Sequence, residues 1–138
     1  KIILISNKDR LSESVLRLES EDFLDIKYFD INLWLNNDME SVQIPRIEAS
    51  KASNYVDRIV DVSNSEDWEL LHVKGVSNIP LVELVNSPNL VAANSVLYCG
   101  NGHKSMAAVS FLLKKNIVTT DIMGGLSAML VDSPDLEI

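Results

Sequence analysis

The sequence predicts an α/β fold with a mainly parallel sheet, because short apolar stretches alternate along the chain with segments of helical periodicity. The apolar stretches are rich in β-branched residues, as is typical of buried strands. Between them, apolar residues recur every three or four positions, as Leu11, Val15 and Leu18 do, which places them on one face of a helix. We expect about five parallel strands flanked by helices, preceded by an N-terminal β-α-β extension.

The predicted strands share short apolar runs that end at polar or turn-forming residues. They cover residues 1–5, 23–29, 57–62, 76–79, 95–98 and 118–123. A helix is expected after Ser63, because Ser63 and Glu66 have the spacing of a capping box. Another is expected over residues 105–115, ended by Asn116 in the left-handed conformation.

Composition excludes several classes of function. The chain has 138 residues, and its net charge of −8 argues against general binding to nucleic acid or to an anionic membrane. No apolar run approaches the roughly 20 residues of a membrane span. The single cysteine cannot form an internal disulfide, which favours a reducing, cytoplasmic setting. One cysteine and two histidines do not make a metal site, and no cofactor is indicated.

The glycines concentrate around the cysteine. They are Gly75, Gly100, Gly102, Gly124 and Gly125, so none occurs in the first 74 residues. Two of them lie in the segment of residues 99–105, CGNGHKS, between a predicted strand and a predicted helix. Glycine is favoured where the backbone takes a positive φ or approaches another group closely. A tight strand–loop–helix junction at Cys99 is such a place.

The chemistry predicted at Cys99 follows from this junction. The strand of residues 95–98 brings Cys99 to the carboxyl end of the sheet, where open α/β sheets bind ligands. Loop N–H groups, the positive end of the following helix and two basic side chains all favour a thiolate there. We predict Cys99 as a catalytic nucleophile. The predicted anion-binding loop is Gly100, Asn101, Gly102, His103, Lys104 and Ser105.

Three motifs resemble those of the rhodanese family, and they occur along the chain in the same order as in the family. The family's active loop, approximately Cys-x-x-Gly-x-Arg-Ser, is similar to residues 99–105. Upstream, its strand ending in Asp-Val-Arg, its acidic helix and its Gly-His-Ile-Pro-Gly-Ala-x-Asn-Ile-Pro stretch are similar to residues 59–80. Downstream, its Gly-Gly-x-x-Ala-Trp is similar to residues 124–129. The resemblance covers roughly residues 44–138, and four of the five glycines (Gly75, Gly102, Gly124 and Gly125) fall on glycines of these motifs.

The resemblance implies a three-layer rhodanese-like domain over residues 44–138, with residues 1–43 as an extension. It implies a sulfurtransferase in which Cys99 takes sulfane sulfur from thiosulfate or from a persulfide on another protein. The sulfur is held as a Cys99 persulfide and passed to a thiol or to a sulfur-acceptor protein, which is two-step covalent catalysis. No metal or organic cofactor is implied.

Departures from the family pattern bear on the donor. Lys104 stands where arginine is usual, and it lacks the planar fork that binds an oxyanion through two hydrogen bonds. This favours a protein persulfide over thiosulfate as the donor. Ser63 also stands where arginine is usual, and we expect it to cap a helix instead. Met129 takes the place of tryptophan.

Two other functions are compatible with such a fold. A non-catalytic interaction or regulatory module is one, since fold does not determine function. A cysteine phosphatase is the other and fits less well, because these enzymes place an arginine after five intervening residues. Here that position is Ser105, and no arginine follows Arg58.

Other residues are assigned supporting roles. Asp61 is expected to accept hydrogen bonds from loop N–H groups, and His72 to fix the segment before Gly75. His103 is the better histidine candidate for influencing the site, because it lies in the loop. The extension of residues 1–43 has no Gly-rich phosphate loop. Three roles stay open for it: an edge of the sheet, the remainder of an upstream domain, or a partner-binding face.

Overall fold

The chain forms two compact units, Lys1–Val42 and Gln43–Ile138. A computed structural model describes residues 2–6, 10, 26–30 and 43–138. In the first unit, strands β1 (Ile2–Ser6) and β2 (Ile26–Asp30) pair in parallel. The helix predicted between these strands lies outside the described residues.

The second unit is built on a parallel sheet of five strands, as predicted. The strands are β3 (Arg46–Ile47), β4 (Ile59–Asp61), β5 (Ser77–Asn78), β6 (Val96–Tyr98) and β7 (Thr120–Ile122). Their order is β3-β7-β6-β4-β5, so β6 lies at the centre with β7 and β4 beside it. Val96 and Leu97 pair with Thr120 and Asp121 of β7. The carboxyl ends of these three strands therefore meet at one edge of the sheet.

Helices cover both faces of the sheet. They are α1 (Ser65–Leu70), α2 (Leu81–Asn86), α3 (His103–Leu113) and α4 (Gly125–Asp132), with 3₁₀ segments η1 (Ala49–Arg58) and η2 (Pro88–Leu90). None of the helices in the described ranges is long and apolar enough to cross a membrane.

Alternation along β6 sends side chains into two separate cores. Val96 and Tyr98 pack with residues of η1 and α4 on one face. Leu97 and Cys99 pack with residues of α2 and α3 on the other. Because side chains of a strand point to opposite faces in turn, Cys99 continues the strand pattern and contacts the α3 layer. The three-layer architecture predicted from the sequence is confirmed.

Several predicted boundaries were wrong for local reasons. The helix predicted to begin at Ser105 begins at His103, because Gly102 already turns the chain with φ +88°. Ser63 is not a helix cap: Asn64 precedes α1, and no side chain caps it. Ser63 is held elsewhere, since its N–H donates to a carboxylate oxygen of Asp61 at 2.7 Å. Asn116 does adopt the predicted left-handed conformation, with φ +62°.

Several elements were not predicted from the sequence. β3 and η1 fall where a connector or no element was predicted, and α2 and α4 were not predicted as helices. α4 was missed because Gly124 and Gly125 were interpreted only as the end of a strand. Their positive φ angles, +75° and +59°, in fact make the turn from β7 into α4.

Candidate active site

Cys99 lies directly after the central strand and begins a loop that leads into α3. Gly102 ends the loop and precedes the first residue of α3. The N–H of His103 is capped by the side-chain oxygen of Asn101 at 3.3 Å. Cys99 is free and buried, with 1% of its surface exposed. The site is therefore formed where a strand end meets the N-terminal, positive end of a helix.

A second helix holds this loop from the other side. The N–H of Leu126, in the first turn of α4, donates to the Cys99 carbonyl at 2.8 Å. The N–H and the hydroxyl of Ser127 both donate to the Gly100 carbonyl at 2.9 Å. Gly125 packs so closely that a Cβ there would overlap the Cys99 carbonyl oxygen. This close approach explains why position 125 is a glycine.

The loop presents backbone donors that the rest of the fold does not use. Within residues 43–138, the N–H groups of Gly100, Asn101 and Gly102 donate no hydrogen bond. The first N–H groups of α3 also lack partners inside the helix, as at any helix start. Such a set of N–H groups, in the loop that begins at the cysteine, is suited to an anion.

Four side chains, beginning with that of Cys99, form a continuous series of polar contacts. The Ser105 hydroxyl lies 3.8 Å from the Cys99 Sγ and donates to Asp121 Oδ1 at 2.6 Å. Arg46 reaches the other oxygen, Oδ2, with its Nε and with a terminal nitrogen, each at 2.8 Å. Asp121 is fully buried. These polar contacts thus join α3, β7 and β3 behind the cysteine.

An open pocket of about 360 Å³ lies on the outer side of Cys99. Its walls are Asp67, Leu70, Cys99, Gly100, Asn101 and Lys104. The Lys104 ammonium is paired with the Asp67 carboxylate of α1 at 3.3 Å. Leu70, also of α1, is 84% exposed at this place. The pocket therefore combines the cysteine, a neutralised cation and an accessible apolar side chain.

The remaining predicted site residues differ in their burial and in their distance from the pocket. Gly102 and Ser105 are buried, whereas His103 is exposed on the first turn of α3 and does not line the pocket. Asp61 is buried and bonds the N–H of Ser63, so its contact is with the adjacent loop. His72 stacks on Trp68, with ring centroids 4.0 Å apart, and its Nδ1 lies 2.7 Å from the Trp68 carbonyl oxygen. These contacts hold the segment between α1 and β5.

The structure brings four further residues to the site that sequence reasoning did not select. Asp121 and Arg46 lie behind the cysteine, and Asp67 and Leu70 lie at its pocket. Asp121 carried a signal, because a carboxylate in a predicted buried strand requires a partner. Nothing in the sequence identified that partner as Arg46, 75 positions away.

Comparison with known proteins agrees with the fold. A family model for the rhodanese-like domain matches residues 46–130. No curated protein matches the chain. The fold is similar to a rhodanese-related protein from Thermoplasma volcanium, with a TM-score of 0.59 and 22% identity over 64% of this chain and 93% of that one.

Two further solved structures share the fold. A rhodanese-like domain protein from Staphylococcus aureus has a TM-score of 0.58 and 24% identity, covering 69% of this chain and 98% of that one. A probable thiosulfate sulfurtransferase has a TM-score of 0.52 and 19% identity, covering 84% of this chain and 63% of that one. With the family model matching more than half of its length, the chain belongs to the family of rhodanese-like domains.

Proposed function

We propose that the protein is a sulfurtransferase in which Cys99 carries sulfane sulfur as a persulfide. The observation that carries the proposal is the position of Cys99 at the start of a loop with unused N–H donors, at the N-terminal end of α3. Such donors stabilise a thiolate before the reaction and a persulfide anion after it. The same chemistry needs a reduced cysteine, which suits a cytoplasmic setting.

The reaction has two balanced steps. The Cys99 thiolate attacks the outer sulfur of a donor persulfide, the bond between the two donor sulfurs breaks, and the donor leaves as a thiolate. The enzyme then holds the outer sulfur on Cys99. In the second step an acceptor thiolate attacks this outer sulfur, and the Cys99 thiolate leaves with the electron pair of the broken bond. With thiosulfate as donor, the leaving group is sulfite.

A second candidate function is a non-catalytic interaction module. It is favoured by the burial of Cys99, of which only 1% is exposed, so that a donor sulfur has little access to the attacking Sγ atom. A phosphatase is not proposed, because Ser105 stands where such enzymes need arginine, and its hydroxyl is bonded to Asp121. A turnover experiment separates the two remaining candidates.

We expect sulfur transfer to depend wholly on Cys99. The protein is given a small-molecule persulfide as donor and a thiol as acceptor, and sulfide released from the acceptor is measured. Parallel lines in double-reciprocal plots are expected, since the donor leaves before the acceptor reacts. Cys99→Ser should reduce the rate to that of the uncatalysed exchange. Equal rates for the two proteins, with both folded, would favour the interaction module.

The donor is proposed to be a persulfide on another protein rather than thiosulfate. Lys104, the cation that lines the pocket, is already paired with Asp67, so a doubly charged anion meets a neutralised site. A persulfide carries at most one charge, so its binding depends less on a free cation in the pocket. Leu70 is exposed at the same pocket, and a docked protein would cover it. The acceptor is proposed to be a thiol, either small or on a protein.

Asp67→Asn is expected to increase sulfur loading from thiosulfate. Loss of the carboxylate frees Lys104 to attract the anion, and because the pair is exposed we expect a gain of about two- to fivefold in the loading rate. Loading from a persulfide should change less. Glu66→Gln, an exposed neighbour in the same helix, is the matched charge control. Equal gains in both variants would show a general charge effect and contradict a specific Lys104–Asp67 pairing.

A further inference from the structure

Ser105 faces three acceptors but has one hydroxyl proton. Its oxygen lies 2.6 Å from Asp121 Oδ1, 3.2 Å from the Gly102 carbonyl oxygen and 3.8 Å from the Cys99 Sγ. The shortest contact is to the carboxylate that pairs with Arg46, and charge-assisted hydrogen bonds are about twice as strong as neutral ones. The hydroxyl proton therefore points to Asp121, away from the sulfur.

The direction of this hydrogen bond determines which part of the Ser105 hydroxyl faces the Cys99 sulfur. With its proton committed to Asp121, Ser105 presents a lone pair to the Sγ atom. A thiol can donate to that lone pair, whereas a thiolate is repelled by it. The other oxygen of Asp121 accepts from two nitrogens of Arg46, each at 2.8 Å. The carboxylate is consequently fixed as an acceptor and cannot turn to donate.

We propose that Asp121, acting through Ser105, favours the protonated and less reactive form of Cys99. Asp121 does not touch the reacting sulfur and is a positioning residue. The inference rests on the proposed function in taking Cys99 as the reacting group. The loop N–H groups favour the thiolate, and the Ser105–Asp121 pair opposes them.

Other charged and titratable groups around Cys99 do not supply this restraint. On the α3 side, His103 is exposed and Lys104 is paired with Asp67 of α1. On the sheet side, burial raises the pKa of Tyr98 above its usual range, so it stays neutral. The nearby Asp61 bonds the N–H of Ser63. Among the described residues, Asp121 is the carboxylate linked to the sulfur through one intervening hydroxyl.

Asp121→Asn tests the proposal with nearly the same shape. The amide oxygen can still accept from Arg46, while the amide nitrogen donates to Ser105 and releases its hydroxyl toward the sulfur. The rate of Cys99 alkylation by iodoacetamide at neutral pH should rise about three- to tenfold, because a hydrogen bond to a charged group is gained. The pH–rate profile should move to lower pH. Asp132→Asn, at an exposed carboxylate, is the matched control and should leave the profile unchanged.

Ser105→Ala gives an independent outcome that does not alter the ion pair. Under the opposite arrangement, in which Ser105 donates to the thiolate, removal of its hydroxyl should slow alkylation. The proposal predicts a faster rate, and a smaller effect of Asp121→Asn when the two changes are combined. A slower Ser105→Ala protein, or an Asp121→Asn protein with lower stability but an unchanged profile, would overturn the proposal. Since alkylation needs no sulfur donor, these results are separate from failure of sulfur transfer.

Discussion

Gly125→Ala is expected to lower the free energy of unfolding by about 3 kcal/mol or more. Gly125 has φ +59°, where any other residue is strained, and its place is also crowded. An added Cβ would overlap the Cys99 carbonyl oxygen and would lie 2.8 Å from the Gly102 nitrogen. Relief requires α4 to move away from the loop, which breaks the bond from the Leu126 N–H to Cys99.

Urea unfolding followed by far-UV circular dichroism measures this effect. The matched control is Gly100→Ala in the same loop, where an added Cβ meets no atom within 4 Å. That control should change the free energy of unfolding by about 0.5 kcal/mol or less. If the two variants unfold at the same urea concentration, the close packing of α4 on the loop is contradicted.

Arg46→Met is expected to cost about 3 kcal/mol of stability, because it leaves the buried Asp121 carboxylate without its cation. The Arg46 side chain is 35% exposed, which places the cost at the lower end of the range for buried pairs. Methionine keeps much of the apolar stem, so lost packing contributes little.

Adding Asp121→Asn to Arg46→Met should restore most of the lost stability, since the uncompensated charge is then removed. Thermal and urea unfolding of the two single variants and the double variant give the coupling energy. Lys51→Met provides a comparison, because Lys51 pairs with Glu48 at 3.5 Å on the surface and such pairs contribute about 1 kcal/mol at most. A double variant no more stable than Arg46→Met alone would contradict the buried pair.

Local sequence patterns predicted the part of the site that is contiguous in the chain. Cys99 and its loop were recognised because an apolar strand, two glycines and a helical pattern follow one another within a few residues. Asn116 was placed in the left-handed conformation for a similar local reason. Each of these features depends on backbone preferences that a short window of residues contains.

What was missed depends on tertiary contacts. The pair of Arg46 and Asp121, which are 75 positions apart, forms only when β3 and β7 align. Ser63 was misassigned as a cap because its pattern fits a capping box, while Asp61 competes for its N–H. Two-residue strands such as β3 are too short to show alternation, so periodicity cannot reveal them.

The central claim, that Cys99 accepts sulfane sulfur, is tested most directly by intact mass spectrometry after a brief incubation with a small-molecule persulfide. The account predicts that the protein gains one sulfur atom, that a thiol reductant removes it, and that Cys99→Ser gains none. Wild-type protein that is folded, has a reduced Cys99 and takes up no sulfur would contradict the account.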